Sequence, residues 1–358
     1  MFFRISHNGE KNTFPFSQSR TIGKFTVSLD AGWHSNGDVL YKGYCLGKPL
    51  KQKVIDKDYS EQTGNYIILD FADVVCSIQH DDSRSFPVFY DKDTVTNLED
   101  DSLTAVWFDG SVYYENGQWH FRHRQENVVK HTDQINNIDK KQLTDLWCSH
   151  LTESCEKLPT DLPIFCANSN GVDSLAVKSA LDYCGKEYKL VDMSQSTKAH
   201  LGWGYRQLFE TNTPHIQATG FCGDELLLRN PLYCQWLLDS ANVNLVTEFD
   251  KTEHSYMKGF FNKRYREKVS AEVGRFPDIV HGYEHTANVS LNDYQMWHTD
   301  ETITFTPFRN YGMALKGLRA DCDTILYQVI HAGISKDIIR HLNPNNLDLM
   351  SKHKNNVT

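Results

Sequence analysis

The sequence predicts an α/β protein in two parts: a β-rich antiparallel part, then a doubly wound parallel sheet with carboxyl-terminal helices. Three observations carry this. The chain has 358 residues, more than the roughly 100–200 that one ordinary core organises, so two domains are expected. Residues 1–135 consist of short runs of β-branched and aromatic residues separated by Gly, Asn and Asp clusters. From residue 140 onward the apolar spacing becomes helical, interrupted by a strand, tight turn, helix and strand in the order of a βαβ unit.

In the first part, 1–135, strands are expected at 24–29, 65–71, 74–79, 88–90, 105–108, 112–114 and 119–122. Glu115-Asn116-Gly117-Gln118 joins the last two as a hairpin, because Asn-Gly accepts the positive φ of a type I′ turn. The second part, 140–358, opens after a polar stretch with Leu143, Leu146, Trp147, His150 and Leu151 on one face of a helix. Pro159 and Pro163 precede the apolar strand Ile164-Phe165-Cys166-Ala167 and a turn over 168–173. A helix begins near Ser174, with Leu175, Val177, Ala180, Leu181 and Cys184 as its apolar stripe and Gly185 at its end. Further strands are expected at 188–192 and 216–219, and the rest reads as helix, without internal repeats.

Composition narrows the function classes. A net charge of −9, with 40% hydrophobic and 23% charged residues, is a soluble globular balance and argues against a chain that coats nucleic acid. The basic run Lys258, Lys263, Arg264, Arg266 and Lys268 is either a solvated helix face or a contact surface for RNA or DNA. No apolar run approaches the roughly 18–20 residues of a bilayer span, and the first residues turn polar early, so neither export nor a membrane partner is expected. Nine cysteines without a CxxC pair point to a reducing, cytoplasmic compartment. His281-Gly282-Tyr283-Glu284-His285 matches HxxEH in form, but Gly282 beside a ligand suits a metal helix poorly and the match is read as coincidence.

The turn Ser169-Asn170-Gly171-Val172-Asp173-Ser174 has the chemistry of an anion site. Small residues let backbone N–H groups converge at a helix amino terminus, where unpaired amides and the helix dipole both favour negative charge. The Lys of GxxxxGK[ST] is missing, which excludes a Walker loop. An Asp inside such a turn makes sense when Mg²⁺ bridges it to phosphates.

These residues resemble the SGGxDS pyrophosphate loop of the N-type ATP pyrophosphatases, and the wider match is to the asparagine synthetase family. Thr219-Gly220-Phe221-Cys222-Gly223-Asp224-Glu225-Leu226 resembles that family's SGxGxDEL segment, with the second Gly displaced by one place to Gly223. Thr306-Pro307-Phe308-Arg309-Asn310 is similar to its xPFLD segment, and Lys336-Asp337-Ile338-Ile339-Arg340 to its KxxLR segment. The resemblance spans roughly 140–345, and the stretches 66–70 and 81–90 are similar to a pattern in the family's amino-terminal domain.

The resemblance implies a glutaminase-like (Ntn-type) sandwich followed by an ATP pyrophosphatase domain, with ATP and Mg²⁺ as cofactors. Ser169, Asn170, Gly171, Val172, Asp173, Ser174, Gly220 and Gly223 would cradle the polyphosphate, and Asp173 and Asp224 would hold the metal. Lys336, Arg309 and Glu301 are the implied catalytic residues, Lys336 stabilising charge on the α-phosphate or on the tetrahedral adduct. The implied activity is an ATP-dependent, AMP-forming C–N ligase acting on a small-molecule carboxylate and amine; a homodimer is compatible with it. The departures matter as well. Phe2 stands where the family carries its nucleophilic Cys, so glutamine hydrolysis is expected to be absent. Asn170 replaces a Gly, and Ile303 takes the place of a Glu, with Glu301 two residues earlier. Two other functions stay open: a nucleotide or nucleic-acid modifying ATP pyrophosphatase, and a decayed member acting as a scaffold or binding protein.

Overall fold

The first part of the chain forms two six-stranded sheets whose faces follow the alternation of its apolar residues. The structure is a computed structural model and describes residues 3–6, 17–30, 32–58, 64–71, 76–80, 88–97, 102–105, 110–123, 138–191, 215–220, 223–229, 234–235, 237–238, 241–251, 302–310, 313 and 316–353. Packing divides the chain into Met1–Val128 with Leu291–Ile303, and Val129–Ser290 with Thr304–Thr358. A boundary is expected at 135–140; residues 124–137 lie outside the described residues.

The strands of the first part are β1 (Phe3–Ser6), β2 (Gln18–Ile22), β3 (Phe25–Leu29), β4 (His34–Asn36), β5 (Val39–Cys45), β6 (Gly64–Asp70), β7 (Cys76–His80), β8 (Phe89–Tyr90), β9 (Thr94–Thr96), β10 (Thr104–Ala105), β11 (Gly110–Glu115) and β12 (Gln118–His123). Helix α1 (Leu50–Asp56) lies between β5 and β6. The sheet orders are β10-β8-β9-β1-β3-β2 and β12-β11-β7-β6-β5-β4. Neighbouring strands run antiparallel throughout. Phe3, Ile5, Val27 and Leu29 of one sheet share a core with Leu40, Ile67, Leu69 and Ile78 of the other. The alternate residues Tyr41, Tyr66 and Ile68 pack instead with Leu50 and Val54 of α1, so β5 and β6 are buried on both faces. The expected hairpin is present: Glu115 pairs with Gln118, and Asn116 and Gly117 have φ of 52° and 89°. The strand expected at 105–108 is seen only as Thr104–Ala105, since 106–109 lie outside the described residues.

The second part is mixed α/β. Its sheet holds β13 (Ile164–Ala167), β14 (Tyr188–Val191), β15 (His215–Ala218) and β16 (Thr302–Phe305), in the order β14-β13-β15-β16. β13 runs parallel to both β14 and β15. The helices are α2 (Lys140–Glu156), α3 (Val172–Tyr183), the single turn α4 (Gly223–Leu226), α5 (Leu245–Asp250), α6 (Cys322–His331), α7 (Gly333–Leu342) and α8 (Leu347–His353).

Local chemistry explains the helix ends. Asp139 caps α2 by accepting from Gln142 N at 2.8 Å, while the Gln142 side chain accepts from Asp139 N at 3.1 Å, a reciprocal capping box. Leu143, Trp147 and Leu151 form its buried stripe. α3 ends at Gly185, whose φ is 63°; Gly185 N donates to Asp182 O and Lys186 N to Leu181 O, the paired bonds of a Schellman motif. α7 packs on α3 and α2. The chain after it is tied to α3 at Asp182, which accepts from Asn343 at 2.7 Å, Asn346 at 3.0 Å and the Tyr188 hydroxyl at 2.9 Å. Among the described residues no helix is long and apolar enough to cross a membrane.

Candidate functional site

The strand order places a topological switch between β13 and β15. From β13 the chain turns through α3 to β14 on one side, and β15 lies on the other. In open parallel sheets, ligands bind in the crevice outside the carboxyl ends of the two strands at such a point. The segments leaving those two ends here are 168–171 and 219–223.

Asn168 N donates to Val191 O at 2.7 Å, which anchors the first segment to the end of β14. Ser169 Oγ accepts from Gly171 N at 3.2 Å, and Lys178 Nζ reaches back from α3 to Ser169 O at 2.7 Å. Lys178 is 4% exposed, and burial lowers its pKa from the ordinary lysine value. The helix begins at Val172, two residues before the expected Ser174. Gly171 is its N-cap, in extended conformation and without a side-chain cap, so Asp173 and Ser174 fall in the first turn. The first-turn position suits the Asp173 carboxylate, because the helix dipole favours negative charge there.

The second segment lies directly on the first. A Cβ at Gly220 would come within 2.4 Å of both Asp173 C and Ser174 N; one at Gly223 would come within 2.5 Å of Asp173 Cγ. Only glycine allows this approach. Asp173 also meets Arg229, whose Nη1 donates to both carboxylate oxygens at 2.6 Å. The side chains are 5% exposed for Arg229 and 16% for Asp173, so this is a largely desolvated ion pair. The side chain of Asp224 lies outside what is described, although its backbone is in α4.

A third segment leaves the same end of the sheet. Thr219 N donates to Phe305 O at 3.0 Å, and residues 306–309 follow, all buried. His150 Nε2 on α2 bonds Pro307 O at 2.8 Å, and Trp147 lies 5.4 Å from the Phe308 ring. Burial holds the His150 pKa below its ordinary value, partly offset by that bond, so the neutral ring donates to the carbonyl. Arg309 is 4% exposed at the end of this segment. Glu301 lies outside the described residues, as do Phe2, Cys222, the 258–268 basic run and the 281–285 motif.

Lys336 lies in the first turn of α7, half-buried, near enough to His331 to lower that residue's pKa after burial has done so. Its corner of the fold is bonded to the 219–229 segment through Gln328 of α6. Gln328 Nε2 donates to Leu227 O and to Ser335 Oγ, both at 2.8 Å, and its Oε1 accepts from Ser335 N at 3.1 Å. A fully buried glutamine thus joins the residue before Lys336 to the chain two residues before Arg229.

The structure therefore brings Ser169, Gly171, Asp173, Ser174, Gly220 and Gly223 together, with Asn170 and Val172 between them. Arg229, Lys178 and Gln328 were not anticipated, and His150 was expected only as part of the α2 face. A Lys within the apolar stripe of α3 was a visible signal for Lys178; nothing local distinguished Arg229. A groove of about 490 Å³ at the opposite, amino ends of β13 and β14 is lined by Asp161, Lys186, Glu187 and Lys189 among others. The 168–171 and 219–220 segments converge at the other, carboxyl ends, where open parallel sheets take ligands. No protein-family model and no curated protein matches the chain.

Proposed function

We propose that the chain is an ATP-dependent amide-forming ligase that adenylates a carboxylate and passes the acyl group to an amine, without glutaminase activity of its own. The observation that carries it is the contact of Gly220 and Gly223 with Asp173 at the switch point, which unites the two segments a polyphosphate site would need. On this reading the first part is a glutaminase-like, Ntn-type sandwich. The second is a doubly wound ATP pyrophosphatase domain in the cytoplasm, with a small-molecule carboxylate and amine as substrates.

The first turn of α3 has no side-chain cap, and its amino end, beside the two glycines that lie on Asp173, is where backbone N–H groups would meet phosphate oxygens. Lys178 holds the turn open by bonding Ser169 O from within the helix. Lys336 and Arg309 are the cations assigned to the reacting centre, where charge grows as the carboxylate attacks the α-phosphorus and pyrophosphate leaves. Among the described residues there is no group of three or more His, Cys, Asp or Glu that could hold a metal. Asp173 and Asp224 would hold Mg²⁺, which supplies neutralising charge to the leaving pyrophosphate.

The test is exchange of labelled pyrophosphate into ATP with a panel of carboxylates. Exchange in the wild type, reduced about 100-fold or more in Asp173→Ala, is expected. A second reading, a nucleotide-binding protein that has lost catalysis, is favoured by the Asp173–Arg229 pair, because a carboxylate held by a guanidinium is not open to a metal. ATP with Mg²⁺ raising the thermal midpoint while no carboxylate supports exchange would select it.

A further inference from the structure

We propose that Arg229 is the polyphosphate-binding cation of this crevice, and that its ion pair with Asp173 is a lock opened only by phosphate and a divalent cation together. The inference rests on the nucleotide reading above and specifies how the site is gated.

A desolvated Arg–Asp pair contributes little net stability, because removing both charges from water offsets most of their attraction. Stability is therefore a weak reason for a 5% exposed guanidinium at the mouth of a parallel sheet. The backbone around it is firmly held. Leu228, immediately before Arg229, has φ of 53° and closes the single turn α4. Gln328 bonds Leu227 O at 2.8 Å, and the Cys234 thiol donates to Leu228 O at 3.3 Å. These bonds fix the chain from which Arg229 reaches Asp173.

The two partners differ in freedom. Asp173 is short, belongs to the first turn of α3, and lies against Gly223 where a Cβ would come within 2.5 Å of its Cγ. Arg229 has the longer side chain, with more rotatable bonds between its backbone and its charge. A planar guanidinium also matches phosphate oxygens in paired hydrogen bonds, which an ammonium does not.

The charges then impose an order. While Arg229 holds Asp173, a divalent cation has no open carboxylate there. When phosphate oxygens take the guanidinium, Asp173 is released, and its charge would repel the phosphate unless a cation joins them. Metal and polyphosphate should therefore bind with strong mutual dependence.

The experiment uses the full chain, inorganic pyrophosphate and Mn²⁺. Equilibrium dialysis measures labelled pyrophosphate retained at saturating Mg²⁺, and electron paramagnetic resonance measures Mn²⁺ bound without pyrophosphate. In Arg229→Gln, pyrophosphate affinity is expected to fall about 10-fold or more, while Mn²⁺ alone binds about 10-fold tighter because Asp173 is uncovered. A merely structural arginine would not move these two affinities in opposite directions. Arg229→Lys, which keeps the charge and the fold, is expected to lose pyrophosphate affinity by a smaller factor and to keep weak binding of Mn²⁺ alone. It is the variant to read if the glutamine form does not fold. Wild type that retains pyrophosphate, with both variants retaining it equally or with unchanged Mn²⁺ binding in Arg229→Gln, overturns the inference alone. Wild type that retains none overturns the nucleotide reading on which it rests.

Discussion

Replacing Gly220 by Ala tests whether the two site segments are in direct contact. The added Cβ would lie 2.4 Å from Asp173 C and Ser174 N and 2.7 Å from Asp173 O. Carbon contacts are optimal at about 3.5–4.0 Å, so the segments must part by about 1 Å. The obstacle is backbone at the start of α3, and no rotamer change relieves it. Overpacking of this kind costs about 1–3 kcal/mol, and the upper end is expected where backbone meets backbone. For a unit of this size each kcal/mol moves the midpoint by about 2–4 °C, so about 3 kcal/mol corresponds to about 6–12 °C. Gly171→Ala is the control within the same site. Its nearest heavy atom would be Ser169 Oγ at 3.4 Å, and its φ of −63° is open to any residue. The slightly poorer N-cap and the reduced unfolded-state entropy nearly cancel there, leaving about 1 kcal/mol or less. Thermal denaturation followed by circular dichroism compares the two. Equal midpoints in Gly220→Ala and Gly171→Ala would refute the contact, and with it the convergence that locates the site.

Two further outcomes follow from titrating groups. The His150 pKa is lowered mainly by burial, with the Pro307 bond and Glu153 opposing and Lys316 and Lys157 reinforcing the shift. Its contribution to stability is complete above the unfolded value of about 6.5 and is lost as pH falls from there toward the folded pKa, at most about 1.4 kcal/mol per pH unit. Urea denaturation between about pH 7.5 and pH 5.5 should show this slope, and His150→Gln, which can still donate to Pro307 O, should flatten it; an unchanged slope removes His150 from the account. In the thiol pair at the ends of α2 and α3, the neighbouring Cys155 lowers the Cys184 pKa, Cys184 and burial raise that of Cys155, and burial pushes Cys166 up to about 12; the Cys184 S–H donates to Thr152 O at 3.6 Å. Iodoacetamide should therefore modify Cys184 about 10-fold faster than Cys155 or Cys166 by peptide mass spectrometry; faster labelling of Cys155 would reverse the assignment.

Elements that announce themselves through local chemistry were legible in the sequence. The 115–118 hairpin, the α2 stripe and the Gly185 end of α3 each depend on residues within one or two turns of each other. Strands whose burial is decided by distant partners were not. Gln18–Ile22 is a polar, exposed edge that owes its form to pairing with β3. Val39–Cys45 hides its alternation behind Lys42, which is buried and bonds Asp30 at 3.4 Å, and behind Gly43. Helix α1 shows only Leu50 and Val54 as apolar contacts and covers a face that its own seven residues do not disclose. The same distinction holds in the site. The turn at 169–174 carries its chemistry in consecutive residues, whereas Arg229 meets Asp173 across 56 residues. Gln328 reaches Leu227 across 101. Such pairs are set by the tertiary fold and leave no local pattern.

The distribution of unfavourable features is itself informative, because well-specified chains agree with their fold everywhere except where function requires otherwise. Five non-glycine residues have positive φ among the described residues. Lys57 and Ala332 lie at helix ends, where a left-handed residue closes the last turn. Asn116 and Asn242 lie in turns, and asparagine tolerates this conformation. Leu228 likewise follows the single turn α4, and it is the residue that precedes Arg229. Within the same few residues are Gly220 and Gly223, where any added Cβ would crowd Asp173, and a nearly buried guanidinium on a carboxylate. Across the turn, Lys178 is held in the interior against the desolvation that lowers its pKa. A core built for stability would avoid each of these, since apolar packing of similar volume does as well or better. They are concentrated at the carboxyl ends of β13 and β15, the end where open parallel sheets take ligands, and this distribution supports the reading of a site for a charged ligand proposed above.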